Sequence, residues 1–111
     1  MKIAVIGNRE FQDYGLLCRI LNGFTFSVLI SGGAKGTDTL AERFARENNI
    51  ETLILKPDYK AFGRPAPFIR NRAMVDACDQ VIAFWDGRDG GTKYTVKHAR
   101  KKNKPVTVIQ I

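Results

Sequence analysis

Five short and almost wholly apolar runs alternate with helix-patterned segments along this chain, and that alternation leaves few folds open. The runs are residues 2–6, 27–30, 52–55, 80–85 and 106–111. A strand with one wet face alternates apolar and polar residues. A run that is apolar throughout predicts a strand buried on both faces, hence a parallel sheet covered by helices on each side. The pattern predicts one α/β domain over residues 1–111, a doubly wound, parallel, five-stranded sheet flanked by helices.

The helices can be placed from caps and stripes. Asp13 can cap a helix running to about Asn22, with Leu16, Leu17, Ile20 and Leu21 as its apolar stripe and Gly23 as its stop. Thr37 or Asp38 can cap the next, with Leu40, Ala41, Phe44 and Ala45 facing the sheet. A third is expected from about Phe68 to Ala77, with Ile69, Ala73, Met74 and Ala77 inward, and a fourth from about Thr92 to Lys102. Residues 57–67, with Pro57, Gly63, Pro65 and Pro67, read as a long connection, of the kind that is often functional. Cys18 and Cys78 fall in helical segments and read as small buried apolar residues.

Three of the runs end in glycine-bearing turns. They are Gly7-Asn8-Arg9, then Ser31-Gly32-Gly33-Ala34-Lys35-Gly36-Thr37-Asp38, and Asp86-Gly87-Arg88-Asp89-Gly90-Gly91-Thr92. In an open parallel sheet such turns share one edge, where ligands bind at the point where the strand order reverses. Each glycine either makes a tight turn or lets backbone approach a ligand, and a helix start behind it offers free N–H groups to an anion. Arg9 can fork onto a phosphate. Arg70 and Arg72, two apart on a helix, cannot share a face, so only one can enter the site. Trp85 either stacks on a base or closes the end of the sheet, and Asp38 either caps its helix or meets a ribose hydroxyl. Lys35 is not part of a Walker A pattern, so ATP hydrolysis is not expected.

Charge adds a second theme. The net charge is +7, and Lys93, Lys97, Arg100, Lys101, Lys102 and Lys104 share one segment without an acid. Such a patch either attracts a nucleic acid or is a solvated helix face. One histidine and two distant cysteines give no metal signature, and no cofactor is implied. No run approaches a membrane span, and the first apolar run ends at Ile6 before Asn8, Arg9 and Glu10, unlike a signal peptide. A cytoplasmic protein without membrane contact is expected.

Taken together, Gly7-Asn8-Arg9, the Ser31 to Asp38 loop, Arg70-Asn71-Arg72 with Met74, and Phe84-Trp85-Asp86-Gly87 followed by Gly91-Thr92 resemble the SLOG superfamily. This is the Rossmann-like group named for Smf/DprA and LOG proteins, and the resemblance is strongest to its small YspA-like branch. It implies a single Rossmann-like domain that binds a nucleotide or nucleotide-derived ligand such as a nucleoside monophosphate, ADP-ribose or an NAD-like molecule, as a sensor, and a homo-oligomer.

The LOG relatives are phosphoribohydrolases that cleave the N-glycosidic bond of nucleoside 5′-monophosphates. Arg70, Met74 and Asp79 match their motif in spacing, which would make Arg70 catalytic, but Tyr94 and Thr95 stand where their glutamates would be. Asp86 or Asp89 would have to supply the missing carboxylate. The DprA relatives bind single-stranded DNA and carry a loop very similar to Ser31 to Asp38, and the basic segment Lys93 to Lys104 would suit that ligand, although Tyr94 is its only aromatic. Tyr59, Phe62 and Phe68, exposed together, would form a patch that invites association with a second subunit.

Overall fold

The computed structural model describes residues 1–111. The elements run β1 (Lys2–Gly7), α1 (Tyr14–Leu21), β2 (Val28–Ser31), α2 (Thr37–Glu47), β3 (Glu51–Ile54), α3 (Tyr59–Phe62), α4 (Ala66–Ala77), β4 (Gln80–Trp85), α5 (Gly91–Lys101) and β5 (Val106–Gln110). All five strands are parallel, in the order β3-β2-β1-β4-β5. This is the doubly wound Rossmann-like arrangement, whose order reverses between β1 and β4.

Alternate residues of the central strands feed two separate cores. Ile3, Val5, Leu29, Ile82 and Phe84 pack under Leu17, Leu21, Ala41 and Phe44 of α1 and α2. Ala4, Ile6, Ile30, Val81 and Ala83 pack under Met74, Val75, Val96 and Ala99 of α4 and α5. Both faces of β1 and β4 are dry, as a continuous apolar run requires. β3 departs from that expectation: it is an edge strand, and all four of its residues, Leu53 and Ile54 included, are exposed.

The helix boundaries follow local chemistry. Asp13 caps α1 by accepting the Leu16 N–H at 3.0 Å. α2 is not capped by Thr37 or Asp38. Its cap is Gly36, with no side-chain hydrogen bond, because both side chains are drawn elsewhere. The connection after β3 is not open chain: Asp58 caps the short α3, accepting the Ala61 N–H at 3.0 Å.

α4 starts at Ala66 rather than Phe68, because Pro67 fits the first turn, where its missing N–H costs nothing. The inward residues of α4 are Ala66, Met74 and Val75, while Ala73 is exposed. This helix is apolar on more than one side, so periodicity alone assigns it no face. Cys78 is buried at the end of α4, whereas Cys18 is only partly so. No helix is long and apolar enough to cross a membrane.

Candidate functional site

A cleft of about 570 Å³ opens at the carboxyl edge of the sheet, over the β1/β4 switch point. Its floor is Ile6 and Gly7, its walls are the turns after β1 and β4, and α4 and the first turn of α5 close two further sides. Of the residues expected from the sequence, Gly7, Asn8, Arg9, Asp38, Arg70, Asn71, Trp85, Asp86, Gly91 and Thr92 meet here.

Ser31, Gly32, Gly33, Lys35, Gly36, Thr37 and Gly87 do not line it. Most of the glycine-rich loop is scaffold. Buried Ser31 donates to Glu42 Oε2 at 2.6 Å and accepts the Gly33 N–H. Thr37 donates to the Asn8 carbonyl through its Oγ1 at 2.9 Å and its N–H at 3.2 Å. The Asn8 N–H in turn donates to the Phe84 carbonyl at 3.0 Å. The turn that presents Arg9 is thereby tied to α2 and β4 together. Gly36 makes this possible: its φ is +71°, and a Cβ there would stand 2.2 Å from the Arg9 carbonyl oxygen. Lys35 and Gly87 are exposed outside the cleft.

Arg70 points inward and Arg72 outward, as two positions on one helix must. The half-buried Arg70 guanidinium donates from Nη1 to the Gly32 carbonyl and, at 3.4 Å, to the Leu55 carbonyl. Its Nε donates to Asn71 Oδ1 at 2.6 Å, and its Nη2 has no intramolecular partner. Beside it lies Asp38, 8% exposed, accepting the Ala34 N–H at 3.0 Å. Burial pushes the Asp38 carboxyl above its ordinary pKa, against the pull of the Ala34 N–H and the Arg70 charge. Burial also lowers the pKa of Arg70.

The other acids are engaged. Asp86 accepts the Arg88 N–H at 3.0 Å and pairs with the Arg88 side chain, contacts that hold its carboxyl below the usual range. Asp89 pairs with Lys93 at 2.6 Å, which lowers it likewise. Arg9 makes no ion pair, so Arg9 and the free nitrogen of Arg70 are the cations open to a ligand. The Trp85 Nε1–H donates to the Arg88 carbonyl at 2.9 Å, tying down the loop, and the half-buried residue lines the cleft. At the far wall α5 begins at Gly91 behind Gly90, without a side-chain cap. Its first N–H groups have no intrahelical acceptor and no side-chain cap, and Gly90, Gly91 and Thr92 at this end line the cleft.

Phe68, Arg88 and Thr95 also line the site, and the sequence did not assign them to it: Phe68 was read as part of an association patch, Arg88 only as a member of the third glycine turn, and Thr95 as standing in place of a glutamate. Phe68 carried a usable signal, two residues before Arg70 at a helix start. The pairing of Arg88 with Asp86 depends on how the loop folds back. The positions matched to the LOG glutamates are otherwise occupied: Tyr94 meets Phe68 edge-on at 4.9 Å, and Thr95 donates to the Gly91 carbonyl at 2.8 Å.

In the basic segment, Lys93 is held by Asp89, and Lys104 donates to the Cys78 carbonyl at 2.7 Å. Lys97, Arg100, Lys101 and Lys102 stay exposed.

Residues 1–62 match the model of the YspA, cpYpsA-related SLOG family. The chain is 35% identical to the Gene 61 protein of Mycobacterium phage D29, over 95% of this chain and 93% of that one. Among solved structures it is similar to DNA processing protein A (DprA) of Streptococcus pneumoniae, with a TM-score of 0.85 at 22% identity. It is also similar to DprA of Helicobacter pylori, whose structure is described for its single-stranded DNA binding mode, with a TM-score of 0.75 at 26% identity. The likeness spans 99% and 97% of this chain but only 50% and 64% of those proteins.

Proposed function

The chain belongs to the YspA, cpYpsA-related SLOG family, and on that footing we propose that its cleft binds a nucleotide or nucleotide-derived ligand by the phosphate. One observation carries the reading. The uncapped amino end of α5 and the two unpaired arginine groups, Arg9 and the outer nitrogen of Arg70, converge on one cleft at the switch point. Helix N–H groups and a guanidinium fork are complementary to a phosphate. Trp85 borders the place left for the base or sugar. Asp38, buried at the cleft beside Arg70, suits a hydroxyl donor such as a ribose.

Calorimetry against AMP, ADP-ribose and NAD tests this. Because Trp85 is the only tryptophan, its fluorescence reports the cleft directly. Arg9→Ala and Arg70→Ala are each expected to weaken AMP binding roughly tenfold or more, the worth of a charged hydrogen bond. Absence of binding to all three ligands would refute the reading.

A second reading is that the protein binds single-stranded nucleic acid. It is supported by the likeness to the Helicobacter pylori protein and by the four exposed cations at the end of α5. It predicts oligonucleotide affinity that falls linearly with salt on logarithmic axes.

A further inference from the structure

Arg70 is a wall of two cavities. One is the cleft. The other is a groove of about 170 Å³, also lined by Leu55, Lys56, Phe62, Ile69 and Ala73. Three exposed aromatic rings surround this shared wall. Phe62 borders the groove, Phe68 borders the cleft, and Tyr59 opens α3 three residues before Phe62. They are 58% (Tyr59), 49% (Phe62) and 42% (Phe68) exposed. The groove also lies where α4 is apolar on a second side: one side covers the sheet, while half-buried Ile69 and exposed Ala73 on the other line the groove.

Interleaved with the rings are Lys56, Lys60, Arg64 and Arg72, all exposed and none in an ion pair. The only acid between residues 55 and 75 is Asp58, which lines the groove and caps α3, so four cations stand against one carboxylate. The occupant must therefore be a polyanion that also offers flat apolar faces. A second copy of this chain would bring the same uncompensated cations against these. A nucleic-acid duplex keeps its base faces stacked inside. A single strand supplies both phosphates and open bases.

We propose that the α3–α4 surface is a single-strand binding track leading from the cleft past Arg70 into the groove. Tyr59, Phe62 and Phe68 stack on bases, and Lys60, Arg64 and Arg72 follow the phosphates. The proposal rests on the strand-binding reading above and adds to it a surface for the strand's bases apart from the basic end of α5.

The test is fluorescence anisotropy of a labelled oligothymidylate against the whole chain. Tyr59→Ala and Phe62→Ala should each weaken binding roughly tenfold, while Phe62→Trp should retain it. Lys60→Ala and Arg64→Ala should each flatten the salt dependence by about one unit of slope. AMP binding, read from Trp85 fluorescence or, for Phe62→Trp, by calorimetry, should be unchanged in all of these variants, whose altered side chains are exposed, and circular dichroism confirms their fold.

If the oligonucleotide binds but the aromatic variants bind as well as the parent, the track is wrong and strand binding occurs elsewhere. If no oligonucleotide binds even at low salt, the track and the strand-binding reading fall together, while the AMP titration still judges the cleft. If the parent sediments as a dimer that Phe62→Ala dissolves, the surface is an interface between copies and the proposal is overturned.

Discussion

Gly36 and Gly63 make a matched pair that isolates what the glycine-rich loop contributes. Their backbones are nearly the same, with φ 71° and ψ −118° at Gly36, and φ 63° and ψ −140° at Gly63. Alanine at either position is forced into a region that side chains rarely adopt, at a cost of about 1–3 kcal/mol. At Gly63 that is the whole cost, since nothing lies within 4 Å of the added carbon. At Gly36 the carbon would stand 2.2 Å from the Arg9 carbonyl oxygen and 2.7 Å from that of Asn8. Relief requires the Asn8–Arg9 turn to move by about 1 Å, which strains both hydrogen bonds from Thr37 to the Asn8 carbonyl. At about 1 kcal/mol each, Gly36→Ala should cost about 2 kcal/mol more than Gly63→Ala.

Urea unfolding followed by Trp85 fluorescence measures this. With a slope of about 2 kcal/mol/M, the Gly36→Ala midpoint should lie about 1 M below that of Gly63→Ala. The displaced turn carries Arg9, so AMP affinity should fall in the first variant and not in the second. Equal midpoints would refute the claim that the loop works by bracing the β1 turn.

Two further outcomes test other parts of the account. Because burial raises the folded pKa of Asp38, the folded state holds its proton more tightly than the unfolded chain. The parent should therefore lose stability relative to Asp38→Asn as pH rises from the ordinary carboxylate range through the raised folded value, as denaturant titrations at a series of pH values would record. An opposite slope would mean that the Arg70 charge outweighs desolvation. Phe84→Ala should cost about 3–5 kcal/mol in the same unfolding assay, because Phe84 is fully buried and its ring stacks on Phe11 at 5.2 Å.

The fold was legible because its signals are local. Continuous apolar runs marked β1 and β4 as dry on both faces, though the same pattern could not say that β3 stands at an exposed edge, and the Asp13 cap acts within one turn of chain. The site was partly legible for the same reason: turns after parallel strands must share an edge, so Arg9, Trp85 and Gly91 could be assigned together. α4 was misread because a helix that is apolar on two sides carries no phase. The basic stretch in α5 drew attention by its density, while the rings of α3 and α4 were read only as a patch for a second subunit. Nothing in the sequence says that four cations stand among them unpaired.

What the chain alone determined was the alternation of strand and helix, the parallel sheet, and the edge on which its loops lie, since each follows from hydrophobic period and turn chemistry within a few residues. What only the tertiary structure decided was which groups on that edge remain free. Ser31 is held by Glu42, Thr37 and Gly36 brace the Asn8–Arg9 turn, Asp86 and Asp89 are neutralised by Arg88 and Lys93, and Arg70 is shared between two cavities. Whether a polar group is engaged or available depends on partners far away in sequence; Arg70 and Gly32, for example, are 38 residues apart. Such pairings exist only once the sheet has brought them together.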